Sequence, residues 1–422
     1  MPIPVLLFIL SLVWPASIAI TAGGIFLPVY RIVLLALIPV AIFELTKRPI
    51  RFRLPDFLIF AFSLIQGAVM VFHHGLTENI IVITRDNVST TIALLNAGST
   101  LVETAGPYLI ARVYIRDQTQ FVAVCRLLVL FVICVGAGTL IEATTGFSVF
   151  TQRNNVDVEG MRLGIHRAAG PFPHAILWGL FAADAFCFAS MGAVGGGNLP
   201  MRATIVLLVL LAVFTSASSA AFGVVFIQIM LLAWIISTQQ LRNRWTYFMV
   251  GCLMAYIFVD LLSNRSAIQV LFDYTALNSW TGYYRTLIWQ YGWQDFLASP
   301  LVGIGFNDWA RPIWMPPSID AFWLVILLRY GLAGAGPLVG GIIMAIREVE
   351  RSTAQTTGLL NVDPGFWWIV SLTSLITAGF TVHFWAHGLV YFFFLIGLWG
   401  SLVRRDARAR PRMSGARALS NR

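Results

Sequence analysis

Charge is what this sequence lacks. Asp, Glu, Lys and Arg make up 11% of its 422 residues, where a soluble domain carries about 25%. Length alone would suggest two or three soluble domains of roughly 100–200 residues each. So few charges cannot cover the surface of 46.7 kDa of water-soluble protein, and that class is excluded. Lysine occurs once, as Lys47. Cysteine is also scarce: Cys125, Cys134, Cys187 and Cys252 all lie inside apolar runs. They read as small hydrophobes, which excludes a disulfide framework and a cysteine metal site. The net charge of +9 could suggest nucleic acid in a soluble protein. Here it reads through membrane topology, because cytoplasmic loops concentrate Lys and Arg.

What the chain has instead is apolar length. Hydrophobic residues make up 58% and the mean hydropathy is +0.80. Stretches long enough to cross about 30 Å of hydrocarbon as helix recur along it. They fall at about 3–21, 27–45, 55–72, 89–112, 120–143, 173–192, 203–217, 219–238, 245–262, 320–346, 365–383 and 386–403. The expected fold is all-α: a polytopic integral membrane bundle of about twelve transmembrane helices forming one domain, 1–403. The first stretch has no basic region before it and no small-x-small site, so it reads as a retained anchor. With the N-terminus in the cytoplasm, eighteen Lys and Arg residues fall on the cytoplasmic side and seven on the other, with Arg31, Arg126 and Arg329 inside spans. That asymmetry places both termini in the cytoplasm. The tail 404–422 is Arg-rich and poor in apolar residues, which predicts a disordered segment close to anionic lipid.

Two loops on the opposite face, 144–172 and 263–319, are longer than connectors need to be. The second interleaves Trp280, Tyr283, Tyr284, Trp289, Trp293 and Trp309 with Arg285, Asp295, Asp308 and Arg311. Aromatics of this kind belong at the headgroup level. From Thr281 to Leu297 the pattern predicts a helix lying on the membrane, closed by Ser299-Pro300. Arg285 and Trp289 lie one helical turn apart on one face. Downstream, Gly303-Ile304-Gly305 has no βαβ unit around it, so it is no nucleotide fingerprint. It reads as a turn or as a close backbone approach to a ligand. Asp320 stands where the cap of the next helix belongs, and reads as a cap alone or as a cap that also faces substrate.

In this region the sequence resembles the O-antigen ligase and polysaccharide polymerase superfamily. The likeness rests on Tyr284-Arg285-x-x-x-Trp289, Pro300-Leu301-x-Gly303-x-Gly305, Ser318-Ile319-Asp320-Ala321-Phe322-Trp323 and Arg329-Tyr330-Gly331. Upstream, Arg167-Ala168-Ala169-Gly170-Pro171-Phe172-Pro173-His174 is similar to the family's Arg-x-x-Gly-x-Phe-x-His segment. Thr215-Ser216-Ala217-Ser218-Ser219-Ala220 sits where the family has a tight hairpin, often with an arginine. Ser218 or Ser219 stands in that arginine's place, and Asp320-Ala321 stand where many members have His-Asn. These departures weigh against a ligase and a histidine mechanism, and the Ser-Ile-Asp-x-Phe-Trp form is similar to exopolysaccharide polymerase-like members.

The resemblance implies a glycosyltransferase of the bacterial inner membrane. It would polymerise undecaprenyl-diphosphate-linked oligosaccharide repeat units at the periplasmic face, without metal or other cofactor. A chain-length regulator and a flippase are the implied partners. Arg285 is the expected stabiliser of the diphosphate leaving group, with Arg167 and Arg311 as helpers. Asp320 is the expected base or orienting acceptor for the acceptor hydroxyl. His174 joins the substrate-binding set, and Tyr284, Trp289 and Trp309 could stack on sugar faces. A ligase transferring glycan to lipid A–core is the alternative within the superfamily. A lipid-linked oligosaccharide or small-solute transporter is the alternative outside it, although the chain has no internal repeat and no paired Gly/Pro-broken helices. His383 and His387 are spaced i, i+4 without a carboxylate, and read as interfacial histidines.

Overall fold

The computed structural model describes residues 1–22, 25–73, 90–151, 153–154, 160–241, 244–264, 269–270, 279–305, 307–353 and 362–403. The tail 404–422 lies outside them. The architecture is the helical membrane bundle that composition demanded. In chain order the helices are α1 Ile3–Leu12, α2 Val29–Lys47, α3 Leu54–His73, α4 Thr90–Tyr114, α5 Gln118–Thr145, α6 Ala175–Ser190 and α7 Leu199–Thr215. There follow α8 Ser219–Ser237, α9 Arg244–Leu262, α10 Ser279–Ala298, α11 Phe322–Ser352, α12 Pro364–Ala378 and α13 His387–Gly397, continued by a last turn at Trp399–Leu402. Six of them, α2, α3, α5, α8, α9 and α11, are long and apolar enough to cross a membrane.

The expected first span, 3–21, is not one helix. Pro15 has no amide to donate and clashes with a continuing helical turn, and α1 stops at Leu12. Ala19–Ala22 then pair antiparallel with Ile25–Pro28 as β1 and β2. Ten helical residues rise about 15 Å, half the hydrocarbon thickness. The expectation of a cytoplasmic N-terminus therefore loses the crossing helix it rested on. The chain leaving α1 returns to the first long loop, where the Ala16 amide donates to the Pro171 carbonyl (2.8 Å).

Burial grades the helices by position. Almost every residue of α6 and α13 is buried, so these two form the axis of the bundle. α9 has no buried residue at all, which suits an apolar surface turned to lipid. At 16 and 15 residues α6 and α12 rise only about 22–24 Å, too little to span hydrocarbon alone. Their neighbours in the bundle cover their ends instead.

Intramembrane charges are costly unless paired, and here they have partners. Glu103 of α4 accepts from Tyr30 (2.7 Å) and from Arg31 Nη2 (2.7 Å) of α2. Asp56 at the start of α3 takes a two-pronged contact from Arg112, at 2.6 and 3.1 Å, and a third bond from Tyr108 (2.7 Å). Asp184 of α6 accepts from Ser371 (2.6 Å) and from Tyr391. Arg126 Nε donates to the Ala193 carbonyl (3.1 Å). A stretch as polar as α4 can thus be a core helix.

Candidate functional site

At one end of the bundle the two long loops meet, and each is tied down by its own backbone. The first turns through β3 Met161–Arg162 and β4 Ile165–His166, joined by Leu163 and Gly164, both at positive φ. That pair of left-handed residues is the signature of a two-residue hairpin turn. Next, the Ala169 and Gly170 amides each donate 3.1 Å bonds to the Glu142 carboxylate of α5. The Ala168 amide donates to Thr215 O (2.9 Å). These bonds clamp residues 160–174 between α5 and the tight turn joining α7 to α8. The turn itself packs so closely on α6 that a Cβ at Gly179 would lie 2.5 Å from Ser216 Oγ.

The second loop holds the expected helix, α10, over Ser279–Ala298. Ile288, Gly292 and Phe296 face inward, while Trp280, Tyr283, Trp293 and Leu297 are exposed. The segment Pro300–Gly305 then runs along a break in α11 at Gly331, whose φ is +58° and ψ −162°. The Ile304 and Gly305 amides donate to Leu328 O (2.7 Å) and Arg329 O (3.0 Å). The Leu332 and Ala333 amides donate to Pro300 O (2.8 Å) and Leu301 O (2.9 Å). A Cβ at Gly303 would lie 2.4 Å from Leu328 O. Gly303 therefore permits close backbone approach to α11, and at Gly305 a Cβ would lie 2.7 Å from the Cβ of His73 on α3. They fix the loop, and with it α10, against the helix that follows Asp320.

Asp320 is not a helix cap. The cap position is Ala321, with no side-chain bond. The first amides of α11 are met from another direction: Phe322 N by Val382 O (3.1 Å) and Trp323 N by Gly379 O (3.3 Å). Its carboxylate is left to the cleft. Asp320 keeps an accessible surface, yet crowding by protein raises its carboxyl above the ordinary carboxylate range, with Arg285 acting against that shift. A group both reachable and crowded lines a recess.

Arg285 stands opposite. It is only 8% exposed, and its Nε is buried without a hydrogen-bond partner. Burial lowers its guanidinium from the ordinary value, Asp320 opposes that, and Arg162 adds to it. Among the described ion pairs Arg285 and Asp320 do not close a bridge on each other. The Tyr284 hydroxyl is likewise buried and unpartnered. Burial and then the Asp320 charge push its pKa up. Two orphan donors beside one crowded carboxylate are costly unless something accepts from them.

Arg167 reaches the tight turn, with its Nε donating to Ser216 O (3.4 Å). Arg162 does the same from β3, Nη1 to Ala217 O (3.4 Å). His174 starts α6, its Nδ1 accepting from the Ile176 amide (3.0 Å). That bond requires an unprotonated Nδ1. Burial, with Arg167 and Arg162 nearby, lowers the ring's pKa to about 4. A chain of rings runs from His174 to the start of α11: His174 lies 5.7 Å from Trp385, Trp385 stacks on His383 at 6.1 Å, and His383 on Phe322 at 6.3 Å.

Other expected site residues are committed to the loop. Arg311 donates to Met315 O (3.0 Å) and Trp309 O (3.0 Å), pairs with Asp308, and lies over the Trp309 ring. Trp309 is buried, its indole N–H donating to Pro317 O (2.9 Å). It is the core of the loop, so its ring faces offer no platform for a sugar. Trp289 pins α10 to the chain after α12, through its N–H to Phe380 O (2.9 Å) and a stacked Phe380 ring. Tyr284, Arg285, Asp320, Arg167 and His174 come to the recess, while Arg311 and Trp309 build its wall. Sequence reading did not single out Glu142, Arg162 or Trp385, and it read His383 as an interfacial histidine. Glu142 is a lone acid near the end of an apolar run, and Arg162 registered only as one of the seven opposite-face arginines.

The fold and this recess define a polytopic membrane protein with an arginine-rich, aromatic cleft at one end of its bundle. Residues 204–339 match the family described as O-Antigen ligase. The matched stretch, about a third of the chain, runs from α7 through the tight turn, Arg285 and Asp320 to beyond the Gly331 break. It is consistent with the O-antigen ligase and polymerase superfamily that the motifs resemble. No curated protein matches the chain.

Proposed function

We propose that this protein is a polymerase-type glycosyltransferase of bacterial surface polysaccharide synthesis. Its donor would be an oligosaccharide repeat unit on undecaprenyl diphosphate. The observation that carries the reading is the facing of Arg285 and Asp320 across a recess in which neither is used up by the fold.

The chemistry follows from that pair. The acceptor sugar hydroxyl attacks the anomeric carbon of the donor, a C–O bond forms, and the sugar–phosphate C–O bond breaks. The bonding pair leaves on the diphosphate. Arg285 sits where a guanidinium can stabilise that charge as it grows, in a setting where water does not screen it. The hydroxyl proton passes to the Asp320 carboxylate, whose raised pKa suits a base better than an ordinary exposed aspartate. The Tyr284 hydroxyl can donate to either sugar or phosphate oxygen. His174 is neutral and held by the α6 amide, so it orients and does not carry charge. This chemistry asks nothing of a metal or cofactor. The arginine asymmetry supports a periplasmic recess in the inner membrane, and the resemblance brings a flippase and a chain-length regulator as partners.

Transfer to lipid A–core is the second reading, favoured by the description of the matched family. Against it stand the uncharged tight turn and the Ser318-Ile319-Asp320 form. The deciding experiment offers the purified protein a lipid-linked repeat unit with and without lipid A–core. A ladder of multiples is the expected product. A single transfer onto core identifies a ligase, and movement across vesicles without bond formation identifies a transporter.

A further inference from the structure

Inside hydrocarbon, backbone that is not helical persists only where protein supplies its hydrogen-bond partners. The break in α11 at Gly331 is such a place. In an unbroken helix the Leu332 and Ala333 amides would donate to the Leu328 and Arg329 carbonyls. Here the segment Pro300–Gly305 stands between those partners and serves all four: Pro300 O and Leu301 O take the two amides, and the Ile304 and Gly305 amides fill the two carbonyls. A loop inserted in this way can lie at membrane depth without an orphaned helix bond.

Two rulers give its depth. Both start from the half-exposed ion pair of Arg53 with Glu348 (2.5 Å), at the same end of α3 and α11. Along α11, Gly331 lies 17 residues from Glu348, a rise of about 25 Å. Along α3, His73 lies 20 residues from Arg53, a rise of about 30 Å. The His73 Cβ is 2.7 Å from where a Cβ at Gly305 would sit. Since hydrocarbon is about 30 Å thick, Gly305 stands at its far edge, and Leu301, bonded to Ala333, lies about 5–8 Å inside. Tilt of either helix would set the segment deeper.

At that depth Leu301 is 69% exposed and Val302 46%. Just before them α10 exposes Trp280, Tyr283, Trp293 and Leu297, and no charged residue among those described. Aromatic and apolar side chains without charge suit the boundary between headgroups and chains. We infer that Pro300–Gly305 is a re-entrant segment, that Leu301 and Val302 dock among the lipid acyl chains of the recess-side leaflet, and that this contact anchors α10 at headgroup level. The inference uses no property of the glycan donor, so it stands or falls apart from the proposed function.

Leu301→Cys and Val302→Cys are each made with the exposed Cys134 and Cys252 replaced by Ala. Each carries an environment-sensitive fluorophore on the full chain in phosphatidylcholine nanodiscs. Met254→Cys, exposed on α9 where no residue is buried, supplies the lipid-facing reference. Nitroxide borne near the top of the acyl chains should quench the labels at 301 and 302 at least about twofold more than aqueous iodide does. If one labelled protein melts well below wild type, the other position decides. Stronger quenching by iodide puts the segment in water and overturns the inference. A label that neither quencher reaches also overturns it, because protein then covers the segment.

Discussion

At the scale of single residues, the decisive fact is how the amides of α11 are satisfied. Because Val382 and Gly379 carbonyls take them, Asp320 has no capping duty, and Asn should replace it without harm to the fold. Its carboxyl pKa is raised, so the native state binds the proton more tightly than the unfolded chain. Such a group adds stability below its unfolded pKa and loses it as pH rises through the folded one. At neutral pH Asp320→Asn should therefore melt no lower than wild type, while transfer falls by roughly 10²–10⁴-fold. Wild-type polymer yield from a well-folded Asn variant would remove Asp320 from the chemistry.

The same shift fixes a pH profile. A base must be ionised, so the transfer rate should fall as pH drops through the Asp320 pKa. That acid limb should lie above the usual carboxylate range of about 4. Arg285 acts to lower that pKa, so in Arg285→Gln any residual activity should show its acid limb at higher pH. Rates against pH on both proteins check the direction. For the rate itself, Arg285→Ala should cost about 10²-fold or more, and Lys should restore only part because a point charge does not reproduce a fork. Near-normal polymer from Arg285→Ala at equal membrane abundance would leave the residue an anchor.

At the scale of elements, the recess is held by backbone fitted to backbone. Gly303 lies at φ +69° with the Leu328 carbonyl 2.4 Å from where a Cβ would sit. An alanine there meets both strain and a clash, and should destabilise by about 2 kcal/mol or more. It should also lower activity, because the loop carrying α10 would shift against α11. Gly336→Ala is the control: a Cβ there meets nothing within 4 Å, so stability should hold or rise slightly. Thermal unfolding of the two variants in detergent tests the pair. At Glu142 two amides share one carboxylate. Glu142→Gln offers one oxygen, which leaves an amide short and should cost about 1–3 kcal/mol. That cost should be accompanied by loosening of residues 160–174, read by limited proteolysis.

At the scale of the molecule, sidedness decides whether any of this chemistry is possible. Reporter fusions after Arg53, Arg244 and Arg351 should read as cytoplasmic, and fusions at Thr151 and Ala310 as periplasmic. A cytoplasmic signal from Ala310 would place the recess on the wrong side for an outer-leaflet donor, and the proposed function would have to be given up. The first helix does not enter this prediction, since it crosses about half of the hydrocarbon.

The sequence alone determined the membrane class, because 11% charge cannot solvate a 46.7 kDa surface. It also determined most helix positions, since a span is a local property of some twenty consecutive residues. The α10 helix was legible for the same reason, since its pattern lies within a few turns of chain, while Arg285 and Asp320 became candidates through the motif resemblance. What the sequence could not show was which partner each polar group would meet. The break of the first span is a contest between apolar length and one proline, settled by pairing with Ile25–Pro28. Asp320 looked like a cap because caps are local, and it lost that role to carbonyls some sixty residues away. Trp309 and Arg311 looked like ligand contacts until the loop folded around them. Glu142 and Arg162 became part of the recess only through contacts 27 to 55 residues distant. Hydrogen-bond satisfaction in a low-dielectric interior is a property of the whole packing, and only the tertiary structure decides it.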